Sequence, residues 1–372
     1  MKFTSFTVFG TIFLAVAGIS SQDLGPTGPS PYDVVEGWHK PFAAEGFAFG
    51  GNSGVFVESP ERIFISQRGE TKLPDPLPSE FAGYVGSIGI NALRDTELRT
   101  WQNCLMIVDG DGNVLEVWDQ WDELCEDSNG PGPHRVRISP YDPEQRVWVI
   151  NETFHQIYVF SNDGSRLLMT LGEKLVPGDD ETHFGRPQDV AFLPDGRILV
   201  ADGLDNHRVV ILDEDAQYIG EFGSFGEGPG QFNGIHALGI GPEGLIFALD
   251  RSGGRVNVFR TTDDPAEVEF VDVWGGFGLT LDIIVNDDSI WFTTFGPGRL
   301  VNFVKMDFEG NRLYTWAVPR ELPDGYLEVH TFSVDSDGNL YGGDNQYGRT
   351  QKFVPKPDAD PDLLIKPPWV AR

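Results

Sequence analysis

The chain has 372 residues, 57 of them acidic and 27 Lys or Arg, which gives a formal net charge of −30. A surface this acidic repels phosphate backbones and anionic headgroups, and no basic run offsets it, so nucleic acid and membrane surfaces are excluded as general partners. At 40% hydrophobic and 12% aromatic the composition is far too apolar for a disordered polyanion, while 45 Gly and 26 Pro imply many turns and therefore many short strands.

The N-terminus reads Met1-Lys2, then a mostly apolar run from Phe3 to Ala17 that ends in Ala15-Val16-Ala17. This is the layout of a cleaved signal peptide over 1–21, too short to span a bilayer comfortably, and it predicts a secreted or periplasmic protein. Residues 22–46 begin QDLGPTGPSPYD and read as a Pro/Gly linker and N-terminal segment. Cys104 and Cys125 are the two cysteines. In an oxidising compartment they predict one disulfide, the alternative being two unpaired buried thiols.

Self-comparison then reveals a repeat. Its clearest copy, GRPQDVAFLPDGRILVADGLDNHRVVILDEDAQYIGEFG over 185–223, is echoed from Gly132, Asn233 and Leu327 and more weakly over 276–303. Each copy is an apolar strand, a turn such as Pro194-Asp195-Gly196, a second strand, a turn of small residues and a third strand. Aligned, the copies place His134, Pro187, His236, Asp282 and His330 at one position, separated by 53, 49, 46 and 48 residues. Residues 47–118 hold strand-like pieces for one more unit. The expectation is an all-β, six-bladed β-propeller over 47–356, with four-stranded antiparallel blades around a central channel and a tail over 357–372.

In such a ring, equivalent positions on alternate blades lie about 120° apart. His134, His236 and His330 occupy those places, and three imidazoles with an open fourth position describe a catalytic zinc site. A single loop histidine is usually a hydrogen-bonded polar residue. His39, His155, His183 and His207 lie off the shared position and read that way. Asp202, Asp250 and Asp344, followed by Arg208, Arg255 and Arg349, recur once per copy, so they read as scaffold pairs. Arg251 follows Asp250 only in the copy carrying His236.

These stretches resemble NHL-repeat propellers and, more specifically, the peptidyl-α-hydroxyglycine α-amidating lyase family. The resemblance runs from Ile63 to Phe353 and is most specific in LGEKLVPGDDETHFGRPQDV. It implies zinc on His134, His236 and His330 and active-site arginines at Arg68 and Arg251. A secreted, monomeric carbon–nitrogen lyase would then convert an N-acyl-α-hydroxyglycine-like substrate to an amide and glyoxylate, its partner being a small anionic or peptide-like molecule. Two positions depart from the family: its active-site tyrosine falls on Leu204, which cannot exchange a proton, and its acidic calcium ligand falls on Thr331. Alternatives are a different metal-dependent lyase or hydrolase on the same scaffold, and a non-catalytic propeller that binds a peptide, glycan or protein. A lactonase-like site would need Glu, Asp and Asn at the shared position, where none forms a set.

Overall fold

The computed structural model describes residues 25–38, 40, 43–88, 96–126, 130–295, 301–319 and 328–371. Among them the chain forms six four-stranded antiparallel sheets and one three-stranded sheet. The innermost strands of sheets I to VI are Asn52–Ser59, Pro133–Ile138, Asp189–Phe192, Ile235–Ile240, Leu279–Val285 and Thr331–Val334. Each packs against the next, and the last returns to the first, so the sheets stand radially about one axis as in a β-propeller.

Burial on both faces explains the strand sequences. In sheet III, Ile198–Asp202 (ILVAD) and Arg208–Leu212 (RVVIL) are buried throughout, because neighbouring sheets cover both sides, and β-branched residues suit that environment. The outermost strand of sheet II, Leu167–Leu171, alternates between half-buried and exposed. The core is accordingly divided into clusters between sheets. One joins Leu199, Val209 and Ile211 of sheet III to Leu238, Ile246 and Ala248 of sheet IV.

The ring closes through the stretch read as a linker. Tyr32–Val34 is the fourth strand of sheet VI, antiparallel to Arg349–Pro355, with Tyr32 opposite Pro355 and Val34 opposite Phe353. Tyr32 is fully buried against Trp316, and its hydroxyl accepts the Ile365 N–H at 2.9 Å. The tail beyond the repeats is also packed: Trp369 N–H donates to Val285 O at 2.7 Å and Ala371 N–H to the Tyr141 hydroxyl at 3.1 Å, across the far end of the inner strands. The proposed signal segment 1–21 and His39 lie outside the described residues. No described helix is long and apolar enough to cross a membrane.

The expected disulfide is not formed: Cys104 and Cys125 are buried free thiols. Cys104 precedes strand Leu105–Val108, and Cys125 ends the 3-10 helix Asp119–Leu124. Asp122 pins that helix by accepting the N–H groups of Asn103 and Cys104 at 2.7 and 2.9 Å. A side-chain hydrogen bond to Cys125, then burial, pushes the Cys104 thiol well above its ordinary pKa.

Candidate metal centre

His134 and His236 lie at the starts of the inner strands of sheets II and IV, and His330 immediately precedes that of sheet VI. Alternate sheets thus deliver one imidazole each to the axis. All three are buried, and one ligand nitrogen from each lies within 4.8 Å of the others. The rings stand nearly perpendicular in every pair, with centroids 4.8 to 4.9 Å apart and interplanar angles of 82° to 90°.

The intervening sheets orient these rings. Nδ1 of His134 meets Gln188 O at 2.7 Å, Nδ1 of His236 meets Leu281 O at 2.5 Å, and Nδ1 of His330 meets Ser53 O at 2.7 Å. A carbonyl only accepts, so each Nδ1 carries the proton and each Nε2 keeps its lone pair, the tautomer a metal requires. Burial, and then the neighbouring imidazoles or Arg135, hold the histidines well below their ordinary pKa, so the rings are neutral. Three neutral, converging imidazoles with fixed second nitrogens fit a tetrahedral ion with one open position.

Two arginines and an acid stand beside this cluster. Arg68 donates its backbone N–H to Gly51 O and Arg251 to Gly234 O, each at 2.9 Å, which anchors both at the ends of strands facing the histidines. The Arg68 guanidinium is 3.6 Å from the buried Glu152 carboxylate, which also pairs with Arg186 at 3.1 Å. Burial lowers the Arg68 pKa, and Glu152 and Glu328 oppose that shift. Nε of Arg68, Nε of Arg251 and Oε2 of Glu328 are buried without a hydrogen-bond partner. Orphaned polar atoms cost about 1–3 kcal/mol each, and their grouping around one cluster points to a ligand that satisfies them.

Glu328 was not among the residues singled out from the sequence. Burial, then the charge of Asp344, pushes its carboxyl up to about 8, with Arg68 and Arg251 pulling the other way. The signal was a break in the repeat: two residues before the three histidines stand Gly132, Gly234 and Glu328.

Leu204 lies in the turn after strand Ile198–Asp202 of sheet III and is half-buried; a methyl group on Gly234 would meet its Cδ2 at 3.3 Å, which places it beside the backbone two residues before His236. Thr331 spends its hydroxyl between sheets, donating to Ser53 O at 3.2 Å and accepting the Val55 N–H at 3.0 Å. Among the described residues, the three histidines are the one group of His, Cys, Asp or Glu placed to hold an ion, and Thr331 offers no carboxylate for calcium.

The recurring pairs are scaffold in sheets III and IV, where Arg208 meets Asp202 at 3.0 Å and Arg255 meets Asp250 at 2.8 Å. Asp282, aligned with the histidines by sequence, instead pairs with Arg135 and Arg137 on the axis. His155 accepts the Arg186 N–H at 3.0 Å, His207 lies tilted against Phe225 with ring centroids 4.9 Å apart, and His183 pairs with Asp180 on a loop.

Comparison with known proteins agrees with this reading of the fold. The NHL repeat model matches residues 184–212. Mouse peptidyl-glycine alpha-amidating monooxygenase is 28% identical over 236 residues, covering 60% of this chain and 23% of that protein. Drosophila melanogaster peptidyl-alpha-hydroxyglycine alpha-amidating lyase 1 is 33% identical over 264 residues, covering 62% of this chain and 46% of that one. Human NHL repeat-containing protein 3 is 25% identical over 276 residues, covering 68% and 72%. The chain therefore spans less than half the length of the two amidating relatives. An X-ray structure provisionally assigned as a gluconolactonase superposes with a TM-score of 0.51 at 13% identity, covering 87% of this chain and 97% of its own. The chain folds as a β-propeller, carries an NHL repeat over residues 184–212 and has amidating lyases among its relatives.

Proposed function

We propose that the chain is an exported, zinc-dependent carbon–nitrogen lyase that cleaves an N-acyl-α-hydroxyglycine-like substrate into an amide and glyoxylate. The carrying observation is the set of three neutral imidazoles, each held by a carbonyl of the next sheet, with orphaned arginine nitrogens beside it. A bound ion would act as a Lewis acid that polarises the substrate hydroxyl.

The chain's own residues supply the rest. Arg68 and Arg251 are half-buried guanidiniums, each with a buried, unpartnered Nε, suited to a substrate carboxylate, a local positive site in a protein of net charge −30. Glu328, pushed up to about 8, holds its proton near neutral pH, whereas Leu204 has none to give.

The test is glyoxylate release from α-hydroxyhippurate by metal-loaded protein. Turnover proportional to bound metal, and its loss in His236→Ala, is expected; no turnover with the metal stoichiometrically bound refutes the amidating reading. The second reading, a non-catalytic binding propeller, draws on Leu204 at the family's tyrosine position. Protein purified without chelator and devoid of metal would favour it.

A further inference from the structure

Immediately inside the histidine layer lies a buried ionic lattice. Arg135, next to His134 in the chain, is completely buried, as are Asp189 and Asp282. Arg135 Nη1 pairs with Asp282 and stands 3.9 Å from Asp189. Two residues on, Arg137 pairs with Asp189 at 2.9 Å and with Asp282 at 3.1 Å. Two cations and two anions balance, and Oδ2 of each aspartate also accepts a backbone N–H, Phe332 to Asp282 at 2.8 Å and Leu238 to Asp189 at 3.1 Å. Each of those N–H groups lies two residues after a histidine of the centre.

The other end of the Arg135 guanidinium touches the centre itself. Nη2 lies 2.8 Å from Leu281 O and 3.1 Å from His236 O, and also 3.1 Å from His236 Nδ1. That nitrogen has two hydrogens, and the two carbonyls take both. Nδ1 of His236 therefore receives none and must itself donate to Leu281 O, which leaves Nε2 as the acceptor. Without the guanidinium, Leu281 O would lose the charge-assisted partner that helps fix the oxygen orienting the ring.

We infer that Arg135 is a positioning residue for the metal centre: clamped by Asp282 and Asp189, it fixes the carbonyl that sets the tautomer and orientation of His236. Its value as a metal-site determinant rests on the proposed function, but the effect on His236 does not. The nearest conservative substitution is Arg135→Lys, which keeps the charge opposite the two aspartates. A single ammonium cannot meet Asp282 and both carbonyls in the guanidinium's fork geometry.

The test compares wild type with Arg135→Lys and the charge-neutral Arg135→Met/Asp282→Asn, after circular dichroism and cooperative thermal unfolding confirm folding. Histidine side-chain ¹⁵N NMR on metal-free protein reads the tautomers. Wild type is expected to show Nδ1–H on all three rings, and the folded variants a mixed or reversed tautomer at His236 with His134 unchanged. Cobalt(II) titration should then show roughly 10- to 100-fold weaker binding, the usual consequence of losing an outer partner of a ligand. A folded variant whose His236 signals match wild type overturns the inference. Wild type with the expected tautomers but no cobalt binding would instead refute the metal reading and leave the Arg135 result to stand on the NMR.

Discussion

Replacing Asp344 by asparagine should change how the stability of the metal-free protein depends on pH. Asp344 ends strand Leu340–Asp344 and is fully buried. Its Oδ1 accepts the N–H groups of Gln346 and Tyr347, both at 3.0 Å, while Oδ2 has no partner. Burial raises its pKa from 3.8 to about 7, with Arg349 and the backbone donors only partly offsetting that. The folded state therefore keeps a proton over a range in which the unfolded chain has lost it. Its contribution is fully present below pH 3.8 and disappears as pH rises through about 7.

One such proton corresponds to about 1.4 kcal/mol per pH unit, or about 4 kcal/mol across the interval. Asparagine keeps an oxygen for the two N–H groups and does not titrate. The substitution also removes the charge that helps raise Glu328, which flattens the variant's profile further. The constant cost of depriving Arg349 of its anionic neighbour does not affect the slope. Urea unfolding of both proteins in chelator at pH 5, 6, 7 and 8 should show the variant gaining on the parent by about 1 kcal/mol per unit up to pH 7, with the gain fading above it. Parallel profiles, or a gap that moves the other way, would refute the argument from burial.

Tyr32→Phe leaves the Ile365 N–H without its 2.9 Å acceptor in a buried site, so thermal or urea unfolding should show a loss of about 1–3 kcal/mol; an unchanged midpoint contradicts a stabilising anchor for the C-terminal tail at this hydroxyl. Gly203→Ala would drive a methyl carbon into the backbone oxygen of Ile235, one residue from His236, so one of the two backbones would have to shift. Poor folding or loss of metal is expected there, and a variant with normal melting temperature and metal content would show the approach is looser than described. Finally, unfolding without reductant should expose two alkylatable thiols, Cys104 and Cys125, that are protected in the native protein; a mass showing no alkylation would mean a disulfide exists.

The repeat was legible in the sequence because strand, turn and strand are local properties: β-branched runs such as RVVIL and turns such as Pro194-Asp195-Gly196 announce themselves over a few residues. The histidine triad was legible for a related reason. Radial repetition converts spacing along the chain into angle around the axis, so a shared repeat position means a shared depth.

What spacing could not reveal are contacts between sheets distant in sequence. The carbonyls that set the three tautomers come from Gln188, Leu281 and Ser53, which lie 54, 45 and 277 residues from their histidines. Nothing local marks Arg135 as a partner of Asp282, 147 residues away, or Tyr32–Val34 as the closing strand for Arg349–Pro355. The two thiols were judged by compartment, and it is the packing around the Asp119–Leu124 helix that leaves them unpaired. Glu328 shows the division most plainly: its place ahead of His330 is in the sequence, yet a carboxyl becomes a proton holder near pH 7 only when folding removes it from water and leaves Oε2 without a donor.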